Sequence, residues 1–214
     1  MESYILPNFP REFSSIHLCL FQNVTNSASL RTRLVEAATM QGEQGDAARD
    51  EMDYGFVEAS MIVSREHIVM AVYQALQAAS TGTLKTRTVH SEVLLALHPS
   101  NNIADAIKRF GISGTTKTLL LVRIGSPSPT CDQPSVDPSQ EVVDAYQQSL
   151  VDQMAELVDG ELVSLQQLSQ TTDWKAIKKL YKLHEISLRG TSEADDQRVL
   201  EANMLNTLST KVVA

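Results

Sequence analysis

The chain has 214 residues, 43% of them hydrophobic and 5% aromatic, with a formal net charge of −8. Such a length and apolar content suit one globular domain that builds its core mainly from aliphatic side chains. The acidic balance excludes a whole-surface nucleic-acid binder and leaves room only for a local basic patch.

Cys19 and Cys131 show no metal-ligand spacing and read as unpaired thiols of a reducing compartment. The opening "MESYILPNFPREF" lacks a basic-then-apolar leader pattern, and no apolar run approaches membrane-spanning length. The "NVT" sequon at Asn23 has no meaning without secretion.

In chain order, "SIHLCLF" (15–21) alternates apolar and polar residues and reads as a first strand. Asn26 or Ser27 can cap a helix through "ASLRTRLVEAA", with Leu30 and Leu34 on one face. Residues 41–55 are polar, acidic and Gly-containing, the composition of an inserted surface loop. "FVEASMIV" (56–63) resembles a strand. Ser64 then caps an amphipathic helix whose Ile68, Val72, Ala75, Leu76 and Ala79 share a face. "LKTRTVH" is a basic connector, and "SEVLLALH" is too short for periodicity to choose between helix and strand.

"SNNIADAIKRFGIS" (100–113) reads as a short helix capped by Asn102. Ile103, Ala106, Ile107 and Phe110 are expected to face the core, Gly111 to take the left-handed position after the helix, and Ile112 to make the closing apolar contact. Asp105, Lys108 and Arg109 complement the helix dipole. "TKTLLLVRIG" (116–125) is a buried strand. Four of the seven prolines fall in 126–139, a Pro/Ser-rich loop. A helix restarts with Val142, Tyr146, Leu150 and Met154 four apart, and "GELVSL" is a short strand. "DWKAIKKLYKLH" is a short helix, on which Lys175, Lys178, Lys179 and Lys182 line one face and Trp174, Ile177 and Tyr181 the other. The last helix carries a Leu200, Met204, Leu208 stripe. Helices mixed with separated strands, without strict alternation, indicate a single α+β domain with inserted loops.

No phosphate-cradling glycine motif, nucleophile elbow, zinc-binding pair or redox cysteine pair is present. A stand-alone enzyme needs convergent titratable groups, and the sequence signals none. His67, His90 and His98 are well separated and read as structural or exposed. The basic residues Lys85, Arg87, Lys108 and Arg109, and the lysines of 175–182, are either solvated faces or patches that meet phosphates or an acidic partner.

Residues 64–122, through "SREHIVMAVYQAL", "KTRTVHSEVLLALHPSNNIADAIKRFGIS" and "TKTLLLV", resemble the PRPK-binding protein family, called TPRKB in animals. "IKKLYKL" (177–183) and "LSTKVV" (208–213) are similar to the family's C-terminal portion. The stretches at 41–55 and 126–139 and the helix after them look longer than in animal relatives, which suggests a fungal-type member.

The resemblance implies an α+β fold with a small sheet flanked by helices, and a non-enzymatic subunit of the KEOPS (EKC) complex without cofactor or metal. That complex installs threonylcarbamoyl on the adenosine beside the anticodon of tRNAs reading codons that begin with A. The implied partners are the PRPK-type atypical kinase, the other KEOPS subunits through it, and tRNA within the complex, with no membrane. Archaeal relatives capture the tRNA 3′ CCA tail, and fungal complexes have been linked to telomere maintenance. The implied location is nucleus and cytoplasm. On this basis Lys85, Arg87, Lys108 and Arg109 are candidate tRNA contacts. Ile177, Leu200, Leu205 and Leu208 are candidate kinase contacts, unless these apolar faces only close the domain's own core. The competing function is a free-standing single-stranded RNA or tRNA-binding module, which the low aromatic content disfavours.

Overall fold

The computed structural model describes residues 1–127, 140–183 and 193–211. All but the first two residues of the Pro/Ser-rich stretch, and Cys131 within it, lie outside them. The described residues form an α+β arrangement of helices and one small five-stranded sheet. The chain divides into two compact units: Met1–Val57 with Ile112–Leu165, and Glu58–Gly111 with Gln166–Ala214.

The first unit is organised on one strand. A short strand β1 (Glu2–Ile5) precedes β2 (Ser15–Gln22), so "SIHLCLF" is the second strand and not the first. Seven consecutive residues of β2 are buried, polar and apolar alike. β4 (Leu119–Gly125) runs antiparallel to it from Ser15↔Gly125 to Phe21↔Leu119. On the opposite edge β1 pairs with residues 15–18, and β5 (Glu161–Val163) pairs with residues 20–22. β3 (Gly55–Glu58) flanks β4. Cys19, Phe21, Leu119 and Leu121 share one face of the sheet and pack with Leu30, Phe56, Met154 and Val158. Burial there pushes the Cys19 thiol up to about 11, so it stays protonated and inert.

Three helices cover this face. α1 (Ser27–Thr39) buries Leu30, with Leu34 half-buried beside it. α2 (Gly42–Glu51) replaces the expected loop at 41–55. Its composition hides the helix because tertiary contacts hold it, not an apolar stripe. Arg49 donates to the carbonyls of Ala37 (3.0 Å) and Met40 (2.9 Å), closing the end of α1. Gly45 lets α2 approach: a Cβ there would lie 2.5 Å from the Met40 carbonyl oxygen. α6 (Gln140–Leu157) buries Val143, Leu150 and Met154, whereas Val142 is exposed. Its stripe is therefore one position out of the expected register at the start, because a 3.6-residue period drifts against a strict spacing of four.

In the second unit, α3 (Arg65–Ser80) starts at Ser64, whose hydroxyl accepts from the His67 N–H, and buries Ile68, Ala71, Val72, Ala75 and Leu76. "SEVLLALH" is helical: α4 (Val89–Leu97) begins with a Thr88–Ser91 capping box. Residues 59–61, within the stretch expected as strand, form a 3-10 turn instead. α5 (Ile103–Phe110), α7 (Leu168–Thr171), α8 (Trp174–Leu180) and α9 (Glu193–Lys211) complete the unit, with α9 packed on α3. The Leu200, Met204, Leu208 stripe of α9 is buried as expected.

His67 is fully buried at the start of α3. Its Nδ1 accepts from the Val63 N–H at 3.4 Å, which leaves Nε2 to donate to the Tyr181 hydroxyl at 3.4 Å. Tyr181 in turn donates to the Leu97 carbonyl at 2.5 Å. This chain of bonds joins the start of α3, the end of α4 and the end of α8. Burial lowers the His67 pKa to about 3. In β2, burial and the Arg123 charge lower that of His17 to about 4.

Tyr181→Phe is expected to destabilise by about 1–3 kcal/mol, because it leaves a buried carbonyl and imidazole N–H unpaired while filling the same space; urea denaturation measures it. Gly45→Ala should lower the melting temperature, although Ala is ordinarily about 1 kcal/mol better than Gly inside a helix. A variant as stable as the parent would show that α2 can shift away from Met40. Both buried histidines stay neutral in the fold while the unfolded chain takes up protons below about pH 6.5. Stability is therefore complete above that pH and falls as pH drops towards 4, with a slope nearing about 1.4 kcal/mol per pH unit for each histidine. Urea midpoints between pH 7.5 and 4.5 should show this, and His17→Gln should flatten the curve by one proton.

Candidate binding surfaces

α5 carries two of the candidate cations. Asn102 caps it as expected, its side-chain oxygen accepting from the Asp105 N–H at 3.1 Å. Only Ala106 and Phe110 of its apolar residues are buried; Ile103 and Ile107 are 38% and 48% exposed. This corrects the expectation that all four face the core: the apolar arc of the helix is wider than the surface that covers it. Gly111 is extended, with φ −80° and ψ 163°, and not left-handed. Glycine is required there because a Cβ would sit 2.5 Å from the Ile107 carbonyl oxygen.

Asp105 does more than complement the dipole. It hydrogen-bonds the buried His98 ring at 2.9 Å and meets the Arg109 guanidinium at 3.5 Å. Arg109 is thereby partly neutralised. Lys108 is exposed and has no hydrogen bond or ion pair among the described residues.

Lys85 and Arg87 lie in the connector before α4. A carboxylate that reads in the sequence as an ordinary first-turn helix acid holds this connector. Glu92 is buried, and its Oε2 accepts from the Lys85 N–H (3.1 Å), the Thr86 N–H (2.8 Å) and the Thr86 hydroxyl (2.6 Å). The backbone is tied inward while the Lys85 and Arg87 side chains are left exposed and unpaired among the described residues. Lys85 lines a cleft of about 340 Å³ of mixed polar and apolar lining, together with Gln77, Thr83, Leu95, Asn101 and Lys211. Lys108 and Arg109 do not line it.

Lys211 escaped the sequence-based choice of sites, although it stands in the family-like "LSTKVV". Its ammonium donates to the carbonyls of Leu95 (2.5 Å) and His98 (2.7 Å) at the end of α4, where the Leu95 carbonyl also accepts from the His98 N–H. Burial, and then the neighbouring Lys85 charge, lower its pKa to about 8, against the pull of Glu92.

The lysines near 175–182 do not form one helical face. α8 ends at Leu180, and Lys182 follows with φ 56°, so its side chain leaves the helical row; Lys178 is half-buried. Of the four candidate kinase contacts, Ile177, Leu200 and Leu208 are buried in the chain itself, and Leu205 alone is half-exposed. Among the described residues no group of three or more His, Cys, Asp or Glu is placed to hold a metal ion, and no helix is long and apolar enough to cross a membrane.

The family model described as kinase binding protein CGI-121 matches residues 21–212. A Cryptococcus neoformans protein named EKC/KEOPS complex subunit CGI121 is 37% identical over 231 residues, covering 92% of this chain and 94% of that protein. Proteins of the same name from Aspergillus fumigatus and Gibberella zeae are 32% and 31% identical and cover 98% and 95% of this chain. They are matched over 95% and 92% of their own lengths. All three are fungal, in agreement with the fungal-type departures in the sequence. A model match across most of the chain and near-complete coverage of these relatives both lead to one statement: the chain belongs to the CGI-121 kinase binding protein family.

Proposed function

We propose that the protein is a non-catalytic subunit of an EKC/KEOPS complex. It binds the complex's PRPK-type kinase and supports threonylcarbamoyladenosine formation on tRNA, in part by holding the tRNA 3′ end. It works in the nucleus and cytoplasm and takes part in telomere maintenance. The observation that carries this reading is similarity along almost the whole chain, 92–98% of it, to proteins named as that complex's subunit.

The surfaces give the reading its residues. Lys85, Arg87 and Lys108 are exposed cations free of acidic partners among the described residues, available to neutralise phosphates. Arg109 contributes less, because Asp105 already faces it. Leu205 is the member of the apolar set that a kinase can reach without opening the fold.

Co-purification with the kinase tests the first part. The wild-type chain should be retained, and Leu205→Glu, shown to remain folded, should lose at least about tenfold in affinity, as expected for a charge buried in an apolar contact. A chain that does not retain the kinase at all sinks the subunit reading. For the second part, tRNA binding to the assembled complex is measured across salt concentrations. The double reversals Lys85→Glu with Arg87→Glu and Lys108→Glu with Arg109→Glu should each weaken binding and lower the salt slope by about one to two. Unchanged affinity and slope would remove these residues from the RNA surface. Tight RNA binding by the isolated chain, indifferent to the kinase, would favour the free-standing RNA module.

A further inference from the structure

We infer that the cleft lined by α3, the connector before α4 and the last turn of α9 is a phosphate-binding site in which Lys85 and Lys211 hold the anion. It deepens the reading of Lys85 as a phosphate contact and rests on that reading for its RNA source. The ligand is a phosphate group, either of a free nucleotide or of a single-stranded RNA backbone.

The charge balance of the cleft carries the inference. The ammonium groups of Lys85 and Lys211 line the same cleft, where burial and then the Lys85 charge lower the Lys211 pKa. Among the described residues Glu92 is the one carboxylate that lines the cleft with them, and one of its oxygens is already committed to three bonds from the connector. The concavity thus holds an excess of positive charge that an anion would compensate.

The donors match a phosphate. Lys211 has three N–H groups and uses two on the Leu95 and His98 carbonyls, which leaves one. The Lys85 ammonium and the carboxamides of Gln77 and Asn101 make no hydrogen bond among the described residues, and all line the cleft. Lys211 is also fixed, because the two carbonyls anchor its ammonium at the end of α4. An immobilised cation loses less side-chain entropy on meeting a ligand than a free surface lysine does. The cleft, at about 340 Å³, can admit a nucleotide-sized group.

The test uses the full chain and three probes: inorganic pyrophosphate, AMP and a short single-stranded RNA. Binding is followed by calorimetry and by the NMR signal of the Lys211 side chain. Pyrophosphate should bind saturably and shift that signal. Lys85→Glu and Lys211→Gln should each weaken binding by at least about tenfold, the effect of removing one charge-assisted bond. Lys175→Glu, at an exposed lysine outside the cleft, makes the same charge change as Lys85→Glu and should matter less than about threefold. If Lys211→Gln fails to fold after losing its two carbonyl contacts, Lys85→Glu decides the matter.

The inference is overturned if pyrophosphate does not saturate, if the Lys211 signal stays put, or if Lys175→Glu weakens binding as much as Lys85→Glu. RNA binding that is tenfold or more tighter than AMP supports a backbone phosphate as the ligand, and equal binding supports a free nucleotide. Pyrophosphate binding by a chain that fails to retain the kinase supports the cleft and overturns the subunit reading.

Discussion

A fully buried imidazole must satisfy both ring nitrogens without taking a proton, and His67 does so by accepting from one backbone amide and donating to one tyrosine hydroxyl. The tyrosine passes the bond on to the last residue of α4. Three helix ends are thereby fixed to one another by neutral groups in a place where a charge would be prohibitively expensive. This arrangement holds α4, the helix at whose two ends the second unit anchors its connector and Lys211. The end of α4 is where Lys211 docks, and the start of α4 is where Glu92 reaches back to hold the connector. Two polar residues of modest size thus set the positions of the cations that face solvent.

The electrostatics of the chain become coherent on this basis. A net charge of −8 would repel phosphates if spread evenly, but acids and bases are sorted. Asp53 pairs with Arg123, whose guanidinium also lies over the Tyr54 ring at 5.5 Å, and Asp105 is shared between His98 and Arg109. Glu92 is turned inward onto backbone amides. The lysine and arginine side chains left exposed around the connector therefore act in a local field more positive than the sum suggests.

Much of this was legible in the amino-acid order, and the failures have physical causes. β2, β4, α3 and the last helix declare themselves through apolar periodicity, and Ser64 and Asn102 through their caps. The family-like block led to the same family as the comparisons. α2 was invisible because a glycine contact and one arginine hold it, neither of which leaves a periodic trace. Periodicity placed Ile103 and Ile107 on the core side of α5, but it cannot say how wide an arc the neighbours cover. Glu92 and Lys211 were missed because their partners are backbone groups six to seven and 113 to 116 positions away. A sequence names side chains, but it does not show which carbonyl or amide a fold brings to them.

The sharing of β2 between partners has a consequence for how the chain is made. Its full-length neighbour joins Ser15 to Gly125 across 110 positions, and its other edge is finished only when residues 161–163 arrive. During synthesis β2 therefore leaves the ribosome with only β1 to pair with, long before β4 and β5 are made, and loop closure over such separations is slow. Until then its exposed amides and carbonyls are open to pairing with other chains. The second unit fares differently: α3, α4 and α5 are contiguous and can pack as they emerge, before the last helix is made. The protein thus carries one part that organises early from local contacts and another that waits for distant ones, and the nascent chain needs shielding mainly over its first strands.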